Sequence, residues 1–161
     1  LHIVDEVERS LKLLKKTIPS NITLEQSMEP DTGYGIMGSA GMVNQIIINL
    51  CNNAVQAMKE KGGCIMVKGS LIMDGDSMKY AVTVSDNGPG MSPEIQKQIF
   101  TPFFTTKKQG EGTGLGLSVV QDLILDDDEK VGEALGRTLR KHCKKLKCFS
   151  RPEAALGEQT L

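Results

Sequence analysis

The chain has 161 residues, 39% of them hydrophobic, which is enough for one medium domain or for one domain plus a fragment. Nineteen basic residues against twenty acidic ones leave a net charge of −1, so composition gives no reason to expect a nucleic-acid or membrane surface. Apolar runs such as Ile46-Ile47-Ile48 are far too short to span a bilayer, and Asp5, Glu6 and Glu8 interrupt the first turns, where a signal peptide would be apolar.

Val4, Val7, Leu11, Leu14 and Ile18 recur at three- and four-residue steps and predict an amphipathic helix stopped by Pro19 and Asn21. Ile22 to Met28 alternates as a half-buried strand, and Gly33 to Gly38 reads as a turn and a short extended piece. A helix from Gly41 to Lys59 turns Ile47, Leu50, Ala54 and Met58 to the core, and Gly62-Gly63 ends it. Cys64 to Met73 and Met78 to Ser85 predict two strands joined by the turn Asp74-Gly75-Asp76, with Tyr80, Val82 and Val84 on one face. Ser92 as N-cap and Pro93 at the first helical position open a short helix. The polar, glycine-bearing stretch from Lys107 to Gly112 is a loop, and Leu115 to about Ile124 is helical. Helices alternating with hairpin-connected strands predict an α+β fold, a two-layer sandwich whose mixed sheet is covered by helices on one face. The cysteines Cys51, Cys64, Cys143 and Cys148 form no C-x-x-C pair, so they read as reduced cytosolic thiols and not as a zinc site.

Four short segments carry the chemistry. Asn49 and Asn53, with Gln56 close by, project from one side of the second helix. Such a face can be ordinary polar surface, but amide oxygens are also hard, neutral ligands suited to magnesium already bound to phosphate. Asp86 ends a strand and is followed by Asn87-Gly88-Pro89-Gly90. That pattern fits a β-turn, and equally a carboxylate fixed to accept a hydrogen bond from an exocyclic amine, with glycines letting a flat base approach. Phe100-Thr101-Pro102-Phe103-Phe104-Thr105-Thr106-Lys107 holds three of the four phenylalanines and forms an apolar hinge before the polar loop. Lys107 is placed to reach a terminal phosphate when that loop closes, whereas Lys108 reads as solvated. Gly112-Thr113-Gly114-Leu115-Gly116-Leu117 runs into a helix, whose first N–H groups and dipole favour phosphate oxygens. It is neither a P-loop, lacking Gly-Lys-Ser/Thr, nor a dinucleotide fingerprint, since no strand immediately precedes it.

In this order and spacing, Leu1 to about Asp122 resembles the catalytic ATP-binding domain of sensor histidine kinases, within the superfamily that also includes gyrase, Hsp90 and MutL. Asn49 to Met58 matches the N box, Asp86 to Met91 the G1 box, Phe100 to Lys107 the F box and Gly112 to Leu117 the G2 box, in wording most like the nitrogen-regulation kinases. The resemblance implies an ATP site with Mg2+ held by Asn53 and assisted by Asn49. Asp86 would meet the adenine amine, and Gly88 and Gly90 would shape the base pocket. Phe103, Gly112, Thr113, Gly114, Leu115 and Gly116 would support the phosphates and the lid. Relatives that hydrolyse ATP carry a glutamate as general base where this chain has Asn49, so transfer to a protein side chain is expected over hydrolysis.

The implied activity is that of a protein-histidine kinase, with the phosphoacceptor histidine on a separate dimerisation hairpin and a response regulator downstream. His2 and His142 lack the acceptor motif, so the chain alone is expected to bind ATP without phosphorylating itself. The alternative is a nonenzymatic regulatory module whose lid ATP orders. A cytoplasmic location is implied, with no nucleic acid and no membrane contact by this segment.

The resemblance stops near Asp122, giving an expected division into a catalytic domain at 1–122, lacking its last strands, and a tail at 123–161. Leu123 to Glu129 resembles the first strand and acidic cluster of a response-regulator receiver domain. Val131, Leu135, Leu139 and Leu146 would then line its first helix, and Lys147-Cys148-Phe149 would form its second strand. A kinase sheet lacking its last strands offers a bare edge, which the tail is expected to cover unless two chains exchange segments into a dimer.

Overall fold

The computed structural model describes residues 2–31, 39–74, 77–107, 112–125 and 145–150, with side chains over 2–31, 39–73, 79–107 and 112–120. Four helices are present among them, α1 (Ile3–Leu14), α2 (Ala40–Met58), α3 (Pro93–Gln96) and α4 (Gly116–Leu125). The strands are β1 (Ile22–Met28), β2 (Gly63–Asp74), β3 (Ser77–Asp86) and β4 (Lys145–Ser150). They form one mixed sheet in the order β1-β2-β3-β4. β1 runs parallel to β2, while β2–β3 and β3–β4 are antiparallel.

The helical layer is centred on α2, which packs against α1, α4 and the strands β2 and β3. Its predicted core residues Ile47, Leu50, Ala54 and Met58 are all buried, together with Val7, Leu11 and Leu14 of α1. From the sheet, Ile65, Val67, Tyr80, Val82 and Val84 complete the same cluster, and α4 contributes Val120. Alternation explains the sheet's share: residues two apart on a strand face the same way, so Tyr80, Val82 and Val84 point together under the helices. Ser39 caps α2 by accepting the Met42 N–H, and Ser92 caps α3 by accepting the Ile95 N–H. Tyr80 is tied to the residue just after β1, its hydroxyl donating to the Glu29 carbonyl, while the Glu29 carboxylate accepts the Leu71 N–H.

Two expectations need correcting beyond the pocket-bearing core. Leu123 to Leu125, expected to begin a strand, form the last turn of α4. A short apolar run does not distinguish buried helix from strand by itself, and extending a helix already nucleated at Gly116 costs less than starting a strand. Leu146, expected on a helix, lies in β4. Lys147-Cys148-Phe149 is a strand as expected, but it pairs with β3 in register Thr83↔Lys147, Val82↔Cys148 and Ala81↔Phe149. The edge of β3 is therefore covered by this chain's own later segment, and the sheet gains a fourth strand there. The extended piece expected within Gly33 to Gly38, the centre of the Asp74-Gly75-Asp76 turn, Lys108 to Glu111, and the acidic and basic stretch from Asp126 to Lys144 lie outside the described residues.

Candidate functional site: the corner of α2, the end of β3 and the start of α4

The expected site residues form two groups that α2 joins: the turn after β3 lies against Ala57 and Met58, and the start of α4 is bound by Asn49. Asp86 is the last residue of β3, half-buried, and its Oδ1 accepts the Gly88 N–H at 2.9 Å. That turn commits one carboxylate oxygen and leaves Oδ2 for a ligand. Gly88 is required by packing: a Cβ there would lie 2.8 Å from Asp86 Oδ1 and 3.1 Å from Met58 Cγ. Met58 and Ala57 of α2 thus back onto the turn after β3, a contact that helical periodicity alone does not reveal. Gly90 has φ +75°, the left-handed region that favours glycine.

Asn49 and Asn53 are both half-buried on α2. Asn49 Nδ2 donates to the Gly116 carbonyl at 3.2 Å, joining α2 to the first residue of α4 across 67 positions of sequence. Its Oδ1 is left as an acceptor. The Asn53 side chain makes no hydrogen bond among the described residues, so its oxygen is also available. No cluster of three His, Cys, Asp or Glu side chains suited to a metal exists among the described residues. A magnesium ion here would be held by neutral amide oxygens together with its ligand's phosphates, which suits a hard cation arriving with a polyphosphate.

The two ends of the loop before α4 are fastened together. Phe103 N–H donates to the Gly114 carbonyl at 3.0 Å, and both residues have left-handed φ, 66° each. For a phenylalanine this backbone is strained, and the ring is 73% exposed, so burial of the side chain does not compensate. At Gly114 a Cβ would meet the Phe103 carbonyl carbon at 2.4 Å, so only glycine fits. Thr113 Oγ1 accepts the Leu115 N–H at 3.4 Å, a local cap just before α4. The stem of Lys107 lies over Gly112, whose Cβ would come 2.8 Å from Lys107 Cδ. Partial burial holds the Lys107 ammonium below the ordinary lysine range, a desolvated cation that an anion would relieve.

One residue inside the motifs has a role that its type did not signal. Asn87 binds the start of β2, its Oδ1 accepting the Cys64 N–H at 2.8 Å. A shallow groove elsewhere, lined by Asp5, Glu8, Arg9, Lys12, Lys15 and Gln26, contains none of the expected site residues.

The sequence model of the family described as histidine kinase-, DNA gyrase B-, and HSP90-like ATPase matches residues 38–146, which run from before α2 into β4. The chain belongs to this family. Within it the likeness is to sensor kinases: the chain is 30% identical to the catalytic domain of histidine kinase ThkA in a nucleotide-free form. That comparison has a TM-score of 0.65 and covers 80% of each chain. The C4-dicarboxylate transport sensor protein DctB of Rhizobium meliloti (strain 1021) is 32% identical over 121 residues, 74% of this chain and 18% of that protein. The sensory histidine kinase/phosphatase NtrB of Escherichia coli O157:H7 is 30% identical over 130 residues, 77% of this chain and 36% of that protein. The chain thus spans well under half the length of these curated relatives. It is a histidine-kinase-type ATP-binding domain, and the α+β fold with helices on one face of a mixed sheet is that of the kinase catalytic domains. No helix of this domain is long and apolar enough to cross a membrane, among the described residues.

Proposed function

We propose that this domain binds ATP with magnesium and transfers the γ-phosphoryl group to a histidine on a separate helical hairpin. The observation that carries the reading is the hydrogen bond from Asn49 Nδ2 to the Gly116 carbonyl, which sets the amide face of α2 beside the glycine-rich start of α4. Asp86 Oδ2 accepts the adenine amine, and Gly88 and Gly90 admit the base. Asn53 and Asn49 turn amide oxygens to the ion, while Gly112, Thr113, Gly114, Leu115 and Gly116 shape the phosphate side. Lys107 supplies a cation at the terminal phosphate, and Phe103 anchors the loop. Held there, magnesium would supply charge neutralisation for the phosphate oxygens.

Asn49 has no proton-accepting side chain at the position from which the family's hydrolases activate water, so positioning and charge stabilisation, not water activation, are what this domain supplies. A response regulator then takes the phosphoryl group from the histidine, on the cytoplasmic side. Residues 1–122 provide the pocket, and the tail provides the strand that covers β3. Calorimetric titration with ATP and magnesium tests the pocket: binding is expected, and Asp86→Asn is expected to weaken it at least tenfold, since a hydrogen bond to a charged acceptor contributes about 1.5–3 kcal/mol. Binding indifferent to Asp86→Asn would remove the assignment.

A further inference from the structure

We infer that Asn87 is a positioning residue that sets base selectivity by fixing the end of β3 on which Asp86 stands. The antiparallel ladder of β2 and β3 ends at the pair Ile65↔Asp86. The next pair, Cys64 and Asn87, sits where two residues of a regular ladder exchange both N–H···O bonds. One of these is made by the main chain, Asn87 N–H to the Cys64 carbonyl at 3.3 Å. The other is made by a side chain: Cys64 N–H donates to Asn87 Oδ1 at 2.8 Å instead of to a main-chain carbonyl. The asparagine side chain substitutes for its own backbone carbonyl. The ladder therefore gains one more rung while the main chain is already leaving the sheet.

That departure is what Asp86 needs. Directly after Asn87 the chain turns, so that Gly88 N–H reaches Asp86 Oδ1 at 2.9 Å. A normal rung through the Asn87 carbonyl would hold the main chain in the extended path of the strand at the point where it bends. With the side chain in that role, Asp86 is held from both sides, by the sheet before it and by the turn after it. The space is prepared on the opposite strand as well. A Cβ on Gly63 would lie 2.4 Å from Asn87 Oδ1 and 2.4 Å from Met58 Sδ. Asn87 is itself exposed, so it contributes through this bond and not through burial.

The inference rests on the proposed contact between Asp86 and the adenine amine, and the test separates the two. The full chain is titrated with ATP and with purine riboside triphosphate, which lacks the exocyclic amine, in the presence of magnesium. The unaltered chain is expected to prefer ATP roughly tenfold or more, the scale of one hydrogen bond to a charged acceptor. Asn87→Ala is expected to cut that preference to about a third or less of its original value, while Asn87→Asp, which keeps an oxygen at the same place, retains it. Hydrogen exchange reads the bond itself: the Cys64 amide exchanges fast in Asn87→Ala and slowly in the other two. An unaltered chain that binds both nucleotides equally would refute the Asp86 contact. A clear preference that Asn87→Ala leaves intact, or that both variants lose alike, would refute the role of Asn87.

Discussion

Gly114 and Gly116 belong to one short motif, yet the structure assigns them opposite tolerance to a methyl group. Gly114→Ala forces a side chain into left-handed φ, at a cost of roughly 1–2 kcal/mol. The new Cβ would stand 2.4 Å from the Phe103 carbonyl carbon and 2.6 Å from its oxygen, both main-chain atoms that no rotamer change can clear. Relief requires Phe103 to move, and with it goes the bond from Phe103 N–H to the Gly114 carbonyl, a further 0.5–1.5 kcal/mol or so. The sum is about 1.5–3.5 kcal/mol of destabilisation. Gly116→Ala meets nothing closer than Asn49 Cγ at 3.8 Å, ordinary contact, and as the first residue of α4 it should gain about 0.5 kcal/mol from lower unfolded-state entropy. Differential scanning fluorimetry of the two variants should therefore place their midpoints roughly 10 °C apart, with Gly114→Ala the lower. ATP affinity should also fall for Gly114→Ala because the ends of the loop separate. Equal midpoints and equal affinities would refute the view that Phe103 and Gly114 form a clasp.

Other outcomes follow from neighbouring contacts. Asn53→Ala should abolish the magnesium dependence of ATP binding without changing the melting temperature, whereas Asn49→Ala should lower both, since only Asn49 also ties α2 to Gly116; calorimetry and thermal melts on the pair distinguish them. The stability that Cys51 and Tyr80 contribute should be level below about pH 9 and fall as pH rises from there toward 12. Burial pushes the Cys51 thiol up from 9.0 to about 12. Burial first, then the Asp31, Glu29 and Glu8 carboxylates, push the Tyr80 phenol up from 10.0 to about 12. Both groups bind their protons more tightly when folded, so unfolding releases protons at high pH and stability is lost there. Urea unfolding at pH 8, 10 and 11 checks this, and Tyr80→Phe should flatten the alkaline limb. Iodoacetamide at pH 8 followed by peptide mass spectrometry should leave Cys51 unmodified in the folded chain and label half-buried Cys64.

The helices α1, α2 and α4 and the strands β1 to β3 were legible because each has one apolar face with a clear period, as Val7, Leu11 and Leu14 or Tyr80, Val82 and Val84 show. The binding residues were legible because they sit in short segments whose residue types are unusual together. Their joints were not. Nothing in the spacing of Asn49 and Gly116 says that one side chain reaches the other's carbonyl, since that bond depends on how α2 and α4 cross. Asn87 reads as a turn residue and acts as a rung of the sheet, a role fixed by the β2–β3 register and not by its neighbours in sequence. Met58 is an ordinary core methionine by period, and only the fold brings it against the turn at Gly88. Leu123 to Leu125 mislead because a short apolar run fits helix and strand alike, and Leu146, set between Lys145 and Lys147, misleads because its seven-residue step from Leu139 also fits a helical stripe.

The central claim is transfer of a phosphoryl group to a protein side chain, and γ-labelled ATP tests it most directly. The chain is mixed with magnesium and a histidine-bearing dimerisation hairpin supplied in trans, and label is followed on the hairpin and as free phosphate. Acid-labile, base-stable label on the hairpin with little free phosphate is the predicted result. Steady release of phosphate to water with an unlabelled hairpin would contradict it, because Asn49 would then stand where no general base is available and hydrolysis would proceed all the same.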